Sequence, residues 1–153
     1  MGDVLIREAV AADVPRIIEL TAQLLDDPSE VYENAREAYD GAFAEICHDT
    51  RQTLFVAERG GEIVGSLVLV IVPNLGRHGR PYAILENIVV DAAHRSSGIG
   101  EAMVRHANAL AQGAGCYKVV LTSRMHRTDA HRFYERLGFR AASVGFRIDL
   151  PGD

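Results

Sequence analysis

The chain has 153 residues, of which 48% are apolar and 24% charged, and its formal net charge is −5. This composition is typical of a globular protein, and the length predicts one domain over residues 1–153. No apolar run reaches the 18 residues of a membrane span, and the acidic balance argues against nucleic acid as a partner. We expect a cytoplasmic protein, because there is no signal-peptide pattern and Cys47 and Cys116 are far apart.

The charge is unevenly distributed along the chain. Residues 1–50 carry 3 arginines and 12 acidic residues, a net charge of −9, whereas residues 51–153 carry 13 basic and 9 acidic residues, a net charge of +4. This separation favours either two ligands of opposite charge or a solvated acidic face on the N-terminal helices.

The N-terminal third predicts one strand and two helices. Residues 4–9 are typical of a strand, and Asp13 and Pro15 stand where a helix N-cap and first turn are expected. Apolar residues at helical spacing continue to Leu25 and then resume over residues 30–48, which predicts a second helix.

The remaining residues predict more strands than helices. Strands are expected over residues 53–58 and 62–72, joined by a tight hairpin, and over residues 82–90 after a loop rich in Gly and Pro. A helix over 98–112 follows, and then a strand over 116–123. A last helix from Thr128 or Asp129 to Leu137 and one or two closing strands over 139–150 complete a mixed sheet with helices on its faces.

The run from His94 to Gly100 joins a predicted strand to a predicted helix. Its arginine and two glycines allow several backbone N–H groups and a positive helix end to surround one anion. It lacks the ending of a P-loop and the spacing of a dinucleotide-binding motif. Residues 95–100 alone therefore indicate either a phosphate-binding turn or a glycine-containing helix start with a surface arginine.

The segments around this run carry a family resemblance. ILENIVVD, HRSSGIG, GCYKVVLTS and AHRFYERLGF, in this order, resemble the GNAT superfamily of acyl-CoA N-acyltransferases. The resemblance implies an α/β (α+β) fold with a mixed, mostly antiparallel sheet of 6–7 strands and about four helices. It also implies transfer of an acetyl group from acetyl-CoA, as cosubstrate, to a primary amine. The other function considered is a non-catalytic, acyl-CoA-binding regulatory domain.

The resemblance implies which residues bind acetyl-CoA. The pyrophosphate is expected on the backbone of Arg95, Ser96, Ser97, Gly98, Ile99 and Gly100. Ser96 replaces a glycine that is common at this place in the family. The main chain of Ile88, Val89 and Val90 is expected beside the pantetheine arm, and Arg127 occupies the place of a CoA-binding asparagine, from which an arginine can reach a phosphate.

Two residues are candidates for proton transfer. Glu86 stands in an otherwise apolar strand, so we expect it to be partly desolvated and to act as the base, unless it pairs with an arginine. The resemblance implies that Tyr134 donates a proton to the leaving thiolate, the alternative being an aromatic core residue. Asn87 is expected on the opposite face of the strand from Glu86, as a substrate contact or a sheet-edge residue.

The acceptor is the least defined ligand. Asp27, Glu30 and Tyr32 favour a cationic amine, whereas Arg77, His78 and Arg80 suit a carboxylate or phosphate. We expect a small-molecule amine, or else a lysine or N-terminal amine of a protein. Histidines, cysteines and acidic residues show no metal-ligand spacing, so we predict no metal. The resemblance makes a homodimer an expectation as well.

Overall fold

The computed structural model describes residues 3–27 and 35–152, and the chain divides into two compact units, Met1–Leu121 and Thr122–Asp153. Short helical turns lie at Ala11–Asp13, Gly76–Gly79 and Ala92–His94. The longer elements of the first unit are β1 (Leu5–Glu8), α1 (Val14–Ala22), α2 (Arg36–His48), β2 (Gln52–Arg59), β3 (Glu62–Val72), β4 (Tyr82–Val90), α3 (Ile99–Gly113) and β5 (Val119–Val120).

The five strands form one sheet in the order β1-β2-β3-β4-β5. Neighbours from β1 to β4 are antiparallel, and β5 is parallel to β4. The predicted mixed, mostly antiparallel sheet is confirmed, although the described residues give five strands rather than 6–7. The strand predicted over residues 116–123 is shorter because its pairing with β4 is confined to Val119 and Val120.

Strand β3 lies at the centre of the core. Residues 63–69 are all buried, as expected for a continuous apolar run with helices on both faces of its sheet. On one face, Leu20 of α1 packs in a buried cluster with Val56 and Val89. On the other face, a Cβ on Gly65 would lie 3.0 Å from Met103 Cε of α3, so glycine allows α3 to pack closely there.

The start of α1 differs from the prediction in one respect. Asp13 is at the N-cap position and Pro15 is in the first turn, but the Asp13 side chain makes no capping bond to α1. Instead its carboxylate accepts from the backbone N–H of Val10 and from both terminal nitrogens of Arg7, at 2.7–3.1 Å. These bonds hold the pKa of Asp13 below its ordinary value, the Arg7 hydrogen bond being the largest cause.

The second unit contains α4 (Thr128–Arg136), close to the predicted last helix. Gly138 follows it with φ +96°, a conformation that favours glycine after a helix. The predicted closing strands over 139–150 are wrong for the described residues, which form no strand there because no neighbouring strand completes a ladder.

Within the described ranges, no helix has both the length and the apolar character needed to cross a membrane. A single domain over residues 1–153 stays a prediction.

Candidate active site

A β-bulge interrupts the pairing of β4 with β3. Glu86 is opposite Val68 and Val89 is opposite Ser66, so Asn87 and Ile88 together face one residue of β3. Asn87 has φ +51°, in the left-handed region that asparagine tolerates better than most residues. Such a bulge bends the strand and changes the direction of the side chains beside it.

The bulge corrects the predicted orientation of Asn87. Asn87 lines the same cavity as Val68, and Val68 is the cross-strand partner of Glu86, so Glu86 and Asn87 share one face of the sheet. The prediction of opposite faces is wrong because strict alternation fails at the extra residue of a bulge. Both polar side chains of β4 are therefore on the face covered by α1 and α2.

Glu86 is exposed, which contradicts the predicted partial desolvation. The helices bury its partner Val68 to 8% exposure but leave Glu86 open to solvent. No ion pair joins Glu86 to an arginine in the part of the chain that the structure describes, so the structural-pairing alternative is not supported. An accessible carboxylate at the bulge can exchange protons with water.

A cavity of about 310 Å³ lies between the two N-terminal helices and the sheet. Its walls come from α1, α2, β2 and β3, and Asn87 of β4 lines one side. A neighbouring cavity of about 330 Å³ shares Phe43, Ile46 and Leu54 with it but has no residue of β4 in its lining. Of the two, only the first therefore adjoins the bulge.

One edge of β4 is open beyond its first residues. Strand β5 pairs only with Ala83 and Ile84, so on the edge of β4 away from β3 no described strand pairs with the segment from Leu85 to Val90. This segment contains Ile88, Val89 and Val90, whose main chain was expected beside the pantetheine arm. An open strand edge offers N–H and C=O groups to an extended ligand.

The turn after β4 has the geometry of an anion site. Ser96 and Gly98 have φ values of +64° and +84°, and Gly98 is the N-cap of α3 without a side-chain capping bond. The first N–H groups of α3, beginning at Ile99, therefore have no capping acceptor from that residue. Uncapped N–H groups at a helix N-terminus suit a phosphate oxygen.

Side chains hold this turn in place. Ser97 Oγ donates to the carbonyl of His94, and Arg95 Nε donates to the carbonyl of Val90 at 3.3 Å. The Asp91 carboxylate accepts from the backbone N–H of Ala93 at the start of the turn. The turn is thus held by hydrogen bonds of its own residues, and the Arg95 side chain is exposed.

Arg59 is a site residue that sequence reasoning missed. Its Nη1 atom lies 3.4 Å from Ser97 Oγ, and its Nε is buried without a hydrogen-bond partner among the described residues. The antiparallel order of β2, β3 and β4 contained the signal, because it brings the β2–β3 hairpin to the same end of the sheet as Val90. A half-buried guanidinium beside this turn suits a phosphate.

The other predicted acceptor-binding residues that the structure describes do not line the cavity. Arg77 stacks over the Tyr117 ring at 5.6 Å, and Arg80 donates to the carbonyls of Gly115 and Cys116. His78 is exposed on the same loop. Asp27 is exposed and does not line the cavity, whereas Glu30 and Tyr32 lie outside the described residues.

In the second unit, Tyr134 lies on α4 in an aromatic cluster. Its ring makes edge contacts with Phe133 at 5.2 Å and Phe139 at 6.0 Å between centroids. Burial raises the pKa of the Tyr134 phenol, and the charge of Arg127 opposes this shift. A phenol with a raised pKa stays protonated and can act as a proton donor. Arg127 is exposed at the N-cap position of α4.

Known proteins match both the sequence and the fold. The Acetyltransferase (GNAT) family matches residues 17–139. A glucosamine 6-phosphate N-acetyltransferase of Trypanosoma brucei brucei is 39% identical over 97 residues, which cover 63% of this chain and 64% of that protein. The match thus spans less than two thirds of that relative's length.

Two crystal structures share this fold. A transcriptional regulator from Bacillus halodurans C-125 superposes with a TM-score of 0.89 at 35% identity, covering 97% of this chain and 100% of the other. A Trypanosoma brucei acetyltransferase superposes with a TM-score of 0.82 at 31% identity, with coverage of 97% and 100%. The chain therefore belongs to the GNAT acetyltransferase family.

Proposed function

We propose that this enzyme transfers an acetyl group from acetyl-CoA directly to the primary amine of a small molecule. The observation that carries the proposal is the turn at residues 95–100, where left-handed Ser96 and Gly98 lead into the uncapped N-terminus of α3. This geometry suits the pyrophosphate of CoA, and Arg59 and Arg95 add positive charge nearby. Membership of the family supports the same donor.

The proposed reaction forms one bond and breaks one bond. The neutral amine nitrogen attacks the thioester carbonyl carbon, the C–N bond forms, and the C–S bond breaks to release the CoA thiolate. The amine loses a proton to Glu86, through water because the carboxylate is exposed, and the thiolate takes a proton from Tyr134. The raised pKa of Tyr134 supports its role as the acid. The reaction requires no metal.

The bulge gives β4 two roles in this proposal. The open edge at Ile88, Val89 and Val90 faces the pantetheine arm, and the face that carries Glu86 and Asn87 borders the cavity for the acceptor. Donor and acceptor then meet at one strand, which brings their reacting atoms together. Such positioning supplies a large part of the rate enhancement in bimolecular transfers.

An assay of CoA thiol release with acetyl-CoA and a panel of amines tests the proposal, with lysine and an N-terminal peptide in the panel. Glu86→Gln should lower kcat about 100-fold and flatten its pH dependence, because the variant cannot accept the proton. Glu45→Gln, which neutralises an exposed carboxylate on α2, is the matched control and should retain activity. Binding of acetyl-CoA without thiol release for any amine would contradict the proposal.

We also propose a homodimer. Four apolar side chains near the end of the second unit, Val144, Phe146, Ile148 and Leu150, are 77–95% exposed, and an exposed apolar strip of this kind is typical of an interaction site. A second copy would present the same strip and cover it symmetrically. Light scattering after gel filtration should give the mass of a dimer, and Phe146→Asp with Ile148→Asp should give a monomer. A monomeric wild-type chain would contradict this proposal.

A further inference from the structure

We infer that the acceptor is a primary amine on an uncharged, apolar body, such as a short alkyl chain or one aromatic ring. The inference rests on the proposed function and narrows its substrate class. The sequence suggested a cationic amine or an acceptor with a phosphate or carboxylate, whereas the inferred acceptor carries no charge besides its amine.

The lining of the cavity beside β4 carries the inference. Most of its wall is aliphatic or aromatic, with contributions from Ile17, Ile18, Phe43, Ile46, Leu54 and Val68. Among the described residues, no Asp, Glu, Lys, Arg or His lines it. A phosphate or second ammonium group placed there would lose its hydration without gaining an opposite charge from the described lining.

The described lining has four polar side chains, all of them neutral: Thr21, Tyr39, Ser66 and Asn87. Thr21 Oγ1 already donates to the carbonyl of Ile17 at 2.8 Å, and Ser66 is only 2% exposed. Asn87 is exposed at the β4 bulge and retains a side-chain amide that can contact the amine. The amine end of the ligand is therefore expected at β4, with its apolar body between α1 and α2.

The volume of the cavity limits the size of that body. At about 310 Å³, it is at the lower end of the range for small-molecule sites, which run from about 300 to 1,000 Å³. One ring with a short chain fits this range better than a disaccharide or an aminoglycoside. The several hydroxyls of a sugar would also need more hydrogen-bond partners than the four polar side chains of this lining supply.

The cationic residues of the loop before β4 do not reverse this conclusion. Arg77 is stacked on Tyr117, and Arg80 is bonded to two backbone carbonyls. Neither residue, nor His78, is part of the cavity lining. A sugar phosphate in the cavity would therefore have no guanidinium from this loop among its lining contacts.

The test compares amines at saturating acetyl-CoA by thiol release. Phenethylamine and n-hexylamine should show kcat/KM at least about 10-fold higher than glucosamine 6-phosphate or spermidine, because burial of an apolar group of this size contributes that much. Ile18→Asp should reverse the preference towards spermidine by placing a carboxylate in the wall. Ile18→Val, which keeps the wall apolar, is the matched control and should retain the wild-type order.

The outcomes separate this inference from the proposed function. Turnover with glucosamine 6-phosphate or spermidine, and none with apolar amines, would overturn the inference and leave the acetyltransferase proposal intact. If no amine is acetylated, calorimetric titration of phenethylamine into the protein saturated with CoA still tests whether the cavity binds an apolar amine. Binding that Ile18→Asp weakens about 10-fold supports the inference, and no detectable binding overturns it.

Discussion

Arg16 of α1 donates from Nη2 to Asp91 Oδ2 at 2.8 Å, and this bond fastens the helix of the acceptor cavity to the first residue after β4. Gln23, the residue that follows α1, also donates to the Asp91 carboxylate, and its side-chain amide oxygen accepts from the backbone N–H of Ala92. One carboxylate thus links the wall of the cavity to the proposed pyrophosphate turn.

Removing this charge should destabilise the protein in a pH-dependent way. The hydrogen bond from Gln23, the N–H of Ala93 and the guanidinium of Arg16 hold the pKa of Asp91 below its ordinary value of 3.8. The stabilisation is therefore complete above about pH 5 and is lost as the pH falls through the lowered pKa. Asp91→Asn should lower the free energy of unfolding by about 1 kcal/mol at pH 7.

Urea denaturation of both proteins from pH 7 to pH 3 measures this difference, which should shrink as the pH falls. Asp149→Asn breaks an exposed ion pair with Arg147 and should change stability by less than about 0.5 kcal/mol. A loss at pH 7 no larger than that of this control would contradict the role assigned to Asp91.

Ser96→Gly should be tolerated and slightly stabilising. Ser96 has φ +64°, which is unfavourable for a residue with a Cβ and costs about 1 kcal/mol. Glycine removes this cost, but it also increases the conformational entropy of the unfolded chain, which offsets part of the gain. The melting temperature should therefore stay equal or rise. Ser97→Gly is the control and should lower it, because Ser97 Oγ donates to His94 and accepts from Arg59. Equal losses in both variants would show that strain at Ser96 is unimportant.

Arg59→Gln should weaken the binding of acetyl-CoA. The guanidinium beside Ser97 suits a phosphate, so we expect Kd to rise about 5- to 10-fold, with a shallower salt dependence. Titration with S-acetylpantetheine, which lacks the nucleotide phosphates, should show no difference from wild type. Arg51→Gln, just before the other end of β2, is the matched control. Equal weakening for both ligands would argue against a phosphate contact.

Tyr134→Phe should lower kcat about 100-fold while the KM for acetyl-CoA stays similar. The pKa of Tyr134 is raised above 10.0 by burial, so its proton remains in place throughout the neutral and moderately alkaline range. The loss should therefore be constant from pH 6 to pH 9. Tyr82→Phe, which alters a half-buried tyrosine on β4, serves as the control. An unchanged kcat at every pH would exclude Tyr134 as the acid.

The continuous strands were the most predictable part of the fold. The bounds of β3 and β4 agree with the sequence prediction, because both are long apolar runs. Two glycines precede β3, and a loop rich in Gly and Pro separates it from β4. The left-handed residues of the turn were also foreseeable at Gly98. The left-handed conformation of Ser96 was not predictable from its residue type, because serine rarely adopts it. The only hint was that glycine is common at this position in the family.

The bulge and its consequences were not predictable from this pattern. Alternation assigns Asn87 to the wrong face, because an extra residue is visible only when the register of β4 against β3 is known. Arg59 was overlooked for a similar reason. Its position beside Ser97 follows only when the order of β2, β3 and β4 in the sheet is known. The exposure of Glu86 likewise depends on how far α1 and α2 extend over the sheet.

Gly65 acts as a spacer between the donor helix and the sheet. A methyl group there would lie 3.0 Å from the end of the Met103 side chain and 3.1 Å from the carbonyl oxygen of Val89, so that side chain and the edge of β4 would have to move by a few tenths of an ångström. The pyrophosphate turn begins α3, and Val89 belongs to the edge proposed for pantetheine. The absence of one side chain in the core thus sets how closely α3 and the proposed donor site approach the sheet.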